Sequence, residues 1–68
     1  MKDLTANQQK VLDFITGFRR KKGYSPTVRE IATGFGFGVR AAYDYMLVLK
    51  KKGFVVWEEK TPRSIVVL

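Results

Sequence analysis

Arg40, Tyr43 and Asp44 bring a guanidinium, a phenol and a carboxylate together within little more than one helical turn of chain. These groups share one competence, directional hydrogen bonding to the edge of a flat heterocycle. A guanidinium presents paired donors to adjacent acceptors such as guanine O6 and N7, and a carboxylate accepts from an amino group such as cytosine N4. A phenol suits a thymine methyl or a phosphate, and Ala41 beside these residues permits close approach. Thr27, Arg29, Lys51, Lys60 and Arg63 carry hydroxyl or cationic groups of the kind that hold phosphate oxygens. Other chemistries have little to work with. The chain has no Cys and no His, which excludes disulfides, the usual zinc ligand sets, the commonest general base and the thiol nucleophile. Ser25 and Ser64 lie in no nucleophile-turn motif, and no Gly-rich phosphate loop is present. No catalytic residue, metal site or cofactor is expected.

Such a cluster needs a scaffold, and the sequence supplies the signals for one. Thr5 and Gln8 form a capping box, with Leu4 as a hydrophobic staple, opening a helix over about 5–22. Val11, Phe14, Ile15 and Phe18 form its buried stripe, Arg19–Lys22 favour the negative end of its dipole, and Gly23 stops it. Tyr24-Ser25-Pro26 is extended, because the residue before proline avoids helical geometry. Thr27 and Glu30 form a second capping box for a short helix over about 28–34, with Val28, Ile31 and Ala32 inward and Gly34 weakening propagation. Phe35-Gly36-Phe37-Gly38 makes a tight turn into a third helix over about 39–52, whose inward stripe is Ala42, Met46 and Leu49 with Tyr45 alongside. Gly53 is its C-terminal stop. The period then changes to two, predicting strands over about 54–58 and 64–68 joined by a polar loop, with Trp57 closing the core. The expected fold is α+β, mainly α: a three-helix winged helix-turn-helix with a C-terminal two-stranded β-hairpin wing, forming one domain over 1–68.

Thirteen Lys and Arg against six Asp and Glu leave a formal charge of +7, a field that favours a polyanionic partner. No apolar run approaches the roughly 18 residues a membrane span needs. The residues after Met1 turn polar where a signal peptide would be apolar, and the absence of Cys fits a cytoplasmic setting. In the expected arrangement the second helix braces the third, whose outward residues Arg40, Ala41, Tyr43 and Asp44 enter the major groove of double-stranded DNA. Thr27, Arg29, Lys51, Lys60 and Arg63 would hold the backbone from either side. If about five phosphates are neutralised, log K falls with log salt at a slope of about −4.5. The densest basic run, Arg19–Lys22, lies at the far end of the first helix and suits solubility and helix capping. Two other readings use the same residues. Tyr43, Leu47 and Val48 could form a protein-contact patch on a winged-helix interaction module, and the net charge could serve an anionic membrane surface.

Three stretches, MKDLTANQQKVLDFI, GYSPTVREIATGFGF and LKKKGFV, taken in order, resemble the N-terminal DNA-binding domain of LexA-type repressors across nearly the whole chain. The resemblance implies a cytoplasmic transcriptional repressor of the DNA-damage (SOS) type, binding a palindromic operator as a homodimer in a full-length context. It departs from the family pattern in two places. The segment before the paired alanines reads Gly38-Val39-Arg40 rather than Ser-Pro-Asn, and Tyr43-Asp44 stands after them where the family has an acidic pair. The family's best-known operator is therefore not carried over. The family's self-cleaving Ser-Lys protease domain, which drives dimerisation, would lie beyond Leu68. The chain is thus expected to be an excised domain or a stand-alone relative, monomeric by itself and without enzymatic activity.

Overall fold

A computed structural model describes residues 4–68; Met1-Lys2-Asp3, the start of the first family-like stretch and of the polar N-terminus, lie outside the described residues. Three helices, α1 (Ala6–Lys22), α2 (Val28–Phe35) and α3 (Val39–Lys51), precede an antiparallel pair of short strands, β1 (Val55–Val56) and β2 (Val66–Val67). This is the mainly helical winged helix-turn-helix expected.

Both capping boxes close. The Gln8 amide donates to Thr5 Oγ1 at 3.2 Å while the Thr5 amide donates to Gln8 Oε1 at 3.0 Å. At α2, the Glu30 amide donates to Thr27 Oγ1 at 3.1 Å and the Thr27 amide to Glu30 Oε1 at 2.9 Å. Each box satisfies an amide that a helix start leaves without an internal partner, and each fixes where the chain turns into the helix. Leu4 packs against the core, as a staple should.

Helices α2 and α3 end by the same device. Gly36 adopts φ 72°, and the Phe37 amide donates to Ala32 O at 2.9 Å; Gly53 adopts φ 85°, and the Phe54 amide donates to Leu49 O at 2.9 Å. In both, a left-handed glycine lets the chain fold back so that a Phe amide takes an orphan carbonyl. Consequently α2 runs one residue past Gly34, and α3 stops at Lys51.

Gly34 is inside α2 for a different reason from the one its type suggested. A Cβ built there would lie 2.8 Å from Phe14 Cε1 and 2.9 Å from Cζ, so the glycine admits the Phe14 ring rather than ending the helix. That ring is wedged between Phe18 and Phe35, at centroid distances of 6.0 Å and 5.4 Å. Gly34→Ala is therefore expected to lower stability, by up to about 2 kcal/mol: an overpacking penalty of about 1–3 kcal/mol set against a gain of about 1 kcal/mol in helix propensity. Gly17→Ala, in open space on α1, is expected to raise stability by about 1 kcal/mol. Urea titration of the two variants checks this, and equal signs would refute the wedge.

The core joins the predicted stripes. Val11, Ile15, Ile31, Ala42, Met46, Leu49 and Val55 are completely or almost completely buried, with Ala32 and Ile65 close behind. Leu12 is buried as well, although it lies off the α1 stripe; Phe14 and Phe18, on the stripe, are only half-buried. Their rings belong to an aromatic file that runs from Tyr24 through Phe18, Phe14, Phe35 and Phe37 to Tyr45. This file ties the end of α1 to α2 and α3.

The hairpin is where expectation and structure part. Only Val55 with Val67 and Val56 with Val66 pair as strand, against five residues expected on each side. Beyond Val56 the ladder is replaced by side-chain bonding. Ser64 Oγ accepts from the Glu58 amide at 2.9 Å and lies 2.8 Å from Thr61 O and 3.1 Å from Glu58 O. Lys60 and Arg63 adopt positive φ of 65° and 60°, which a continuing strand does not allow. The wing is consequently a long, side-chain-braced loop on a two-residue stem.

Candidate nucleic-acid interface

Helix α3 presents Arg40, Ala41 and Asp44 to solvent, with Tyr43 half-buried beside them. Residues 40, 43, 44 and 47 share one helical face by their three- and four-residue spacing. The three hydrophobic residues that turn the other way, Ala42, Met46 and Leu49, are the core stripe, so burial of one face leaves the other open. Arg40 makes no hydrogen bond, ion pair or ring contact among the described residues. A long cation without an internal partner, at the leading end of an exposed helical edge, can reach a ligand without first breaking a bond.

Tyr43 stands differently. Its hydroxyl lies 3.3 Å and 3.4 Å from the two carboxylate oxygens of Glu59 on the wing. The Trp57 indole N–H donates to the same carboxylate at 2.8 Å, and the Tyr43 and Trp57 rings meet edge-on at 6.1 Å. Lys50 Nζ sits 4.8 Å over the Trp57 ring. Partial burial, then the Glu59 charge and its hydrogen bond, push the Tyr43 phenol above its ordinary value. Trp57, expected to close the core, packs half-buried against it and also braces α3 against the wing. Glu59 had no signal in the sequence: it is sixteen positions from Tyr43, a separation with no helical or strand period.

The wing is also tied to the start of α2. Arg63 pairs with both oxygens of Glu30, at 2.9 Å and 3.0 Å, donates to Ser25 O at 3.1 Å and stacks 4.5 Å over the Tyr24 ring. The Arg63 bond is the main cause that holds the Glu30 carboxyl below its ordinary value of 4.5, with the Thr27 amide second. The same pairing raises Arg63. Both side chains keep more than a third of their surface exposed, so water weakens the pair and its value lies in geometry. A depressed carboxylate contributes stability above its unfolded value and loses it as pH falls through the folded one. Acidification from neutral to below 4.5 is accordingly expected to detach the wing from α2 while the helical core persists, an effect absent in Glu30→Gln. Amide chemical shifts of residues 58–64, followed against pH, check it; unchanged shifts would refute the tie.

Between the start of α2, Tyr43 and the wing loop lies an open cleft of about 300 Å³, lined by Thr27, Tyr43, Lys60 and Arg63 among others. The structure thus gathers Thr27, Tyr43, Lys60 and Arg63 on one cleft, with Arg40, Ala41 and Asp44 on the same helix as Tyr43. Arg29 on α2, Lys51 at the end of α3 and Lys60 on the wing are exposed, with no bonded side-chain partner among the described residues. Arg19–Lys22 end α1 as a basic last turn. Leu47 is 41 % exposed, whereas Val48 is half-buried. Ser25 is buried, with its hydroxyl unpartnered, and Ser64 is spent on the wing turn. No helix among the described residues is long and apolar enough to cross a membrane, and no cluster of three or more His, Cys, Asp or Glu stands ready for a metal ion there.

The family model described as the LexA DNA binding domain matches residues 1–64. The LexA repressor of Thermosipho africanus is 46% identical over 65 residues, covering 96% of this chain and 33% of that protein. That of Leptospira interrogans is 43% identical over 65 residues, again 96% of this chain and 32% of the relative. That of Leptospira biflexa is 41% identical over 68 residues, all of this chain and 34% of the relative. The chain spans about a third of the length of these curated relatives.

Proposed function

The chain belongs to the LexA DNA binding domain family, and from that premise we propose that it is the operator-reading part of a cytoplasmic transcriptional repressor. The observation that carries this reading is the bare leading edge of α3, with the wing on one side and the start of α2 on the other. The major groove is about 12 Å wide and admits a helix whose outward side chains reach base edges. Arg40 pairs with guanine O6 and N7, Asp44 accepts from cytosine N4, Ala41 allows close approach and Tyr43 faces the next base. Thr27 and Arg29 hold phosphates on one side of the groove, and Lys51 and Lys60 hold them elsewhere along it. Arg63 keeps the wing against α2, with only its unused N–H groups left for a phosphate. One such domain covers one half-site. In a longer chain, two copies on a palindrome would repress, and regulation of the DNA-damage type follows from the family.

Thr27 carries no charge and Glu30 already offsets the Arg63 charge, so the three cations Arg29, Lys51 and Lys60 carry the counterion release. The expected slope of log K against log salt is about −2.7. Fluorescence anisotropy of a labelled duplex across a salt series checks this. A flat salt response would overturn the reading, and specific retention of a best sequence from a random duplex pool would support it.

A further inference from the structure

Tyr43 carries one hydroxyl proton and lone pairs that can accept, so what its oxygen offers a base depends on where that proton is held. In the free domain its neighbouring acceptor is fixed in place. Trp57 Nε1 donates to Glu59 Oε2 at 2.8 Å, a charge-assisted bond that pins the carboxylate, and both its oxygens lie within 3.4 Å of the Tyr43 hydroxyl. The edge-on Tyr43–Trp57 contact holds the two rings in register, and Lys50 lies over the indole. Without these partners a carboxylate in a groove-facing wing would only repel phosphates.

We infer that Glu59 is a specificity-positioning residue that does not itself touch DNA: by accepting the Tyr43 hydroxyl hydrogen bond it leaves the phenol oxygen as an acceptor toward the groove, selecting a base edge that donates. This inference rests on Tyr43 standing in the major groove. The donating edges there are cytosine N4 and adenine N6, whereas guanine O6 and N7 and thymine O4 accept. The negative charge behind the phenol acts in the same direction, since it disfavours acceptor-rich edges. Two physical effects therefore predict one preference at the base pair opposite Tyr43.

Glu59→Gln inverts the polarity at nearly constant shape. The amide oxygen keeps the Trp57 bond, the amide nitrogen turns to Tyr43 and donates to its oxygen, and the phenol proton is released toward the groove. The preferred base should then change from cytosine or adenine to guanine or thymine. The test is selection from a random duplex pool at low salt with the 68-residue chain as it stands, in wild type, Glu59→Gln, Tyr43→Phe and Arg40→Ala. At one position, the ratio of donor-edge to acceptor-edge bases is expected to move by about ten-fold on Glu59→Gln. With Tyr43→Phe in place, Glu59→Gln should have no further effect on that ratio. Unchanged thermal melts confirm that each variant is folded. If Arg40→Ala alters its own position while Glu59→Gln alters none, or weakens all sequences evenly, the inference is overturned and the DNA-reading assignment stands. If no variant and not even the wild type selects a sequence, both fall.

Discussion

Leu49→Ala is expected to leave the domain mostly unfolded at room temperature in the absence of DNA. Leu49 has no exposed surface and sits where α3 meets the rest of the core. Its carbonyl also accepts the Phe54 amide that ends α3, so the cavity would open beside the junction from helix to wing. Truncating a buried Leu to Ala costs about 2–5 kcal/mol, through lost transfer energy and an uncollapsed cavity. A core of this size supplies no more than about 3–5 kcal/mol in all. The two ranges overlap, so one substitution removes most or all of the margin. Leu47→Ala is the matched control: the same change two residues away, on a side chain 41 % exposed, and expected to shift stability by less than about 1 kcal/mol. Urea titrations followed by far-UV circular dichroism distinguish them. If both variants unfold at similar urea concentrations, α3 does not present its Leu49 face to the core, and the outward assignment of Arg40 and Asp44 on the opposite face fails with it.

The comparison of sequence with structure divides by distance along the chain. Capping boxes and glycine stops are local: Thr5 and Gln8, or Thr27 and Glu30, are three residues apart, and their types alone imply the bond that forms. The same holds for the stripe of α3, where Ala42, Met46 and Leu49 recur at helical spacing and are all buried. The strands were legible as a change of period but not in length. Val-rich composition says that residues can pair, whereas the Ser64 hydroxyl decides where pairing stops by taking the Glu58 amide. Gly34 shows the same ambiguity within a helix. Its type fits a helix end and a close approach equally well, and only the position of the Phe14 ring decides.

For the site, the exposed edge of α3 could be read from the pattern, because an amphipathic helix with a known buried stripe has a known outer face. What could not be read is which of its residues are already engaged. Arg63 reaches Glu30 across thirty-three positions and Tyr43 reaches Glu59 across sixteen; neither spacing carries any periodic signal. Both ties end on the wing, the least regular element, whose path depends on positive φ at Lys60 and Arg63. So the sequence pointed to a row of equivalent basic and polar groups, and the fold sorts them. Arg40, Arg29, Lys51 and Lys60 remain available, while Tyr43 and Arg63 are built into the frame.

That sorting makes Arg40→Ala the sharpest probe of the proposed DNA contact. Affinity for the preferred duplex is expected to fall about ten-fold, and by as much as about a hundred-fold, because a good bidentate Arg–guanine pair is worth about 1–3 kcal/mol of discrimination. Preference at one base pair should relax, while affinity for unrelated duplexes changes little. Lys51→Ala should behave oppositely, weakening all duplexes alike and making the salt slope shallower by about 0.9. Competition binding with duplexes differing at single positions separates the two patterns. Arg40 bonds to nothing among the described residues, so its removal strands no partner there. An equal drop on every sequence would make Arg40 a backbone contact, and no drop at all would remove α3 from the groove. The equivalent experiment on Arg63 cannot discriminate so cleanly, since cutting it also frees Glu30 at the start of α2 and leaves a negative charge beside the very phosphates under study.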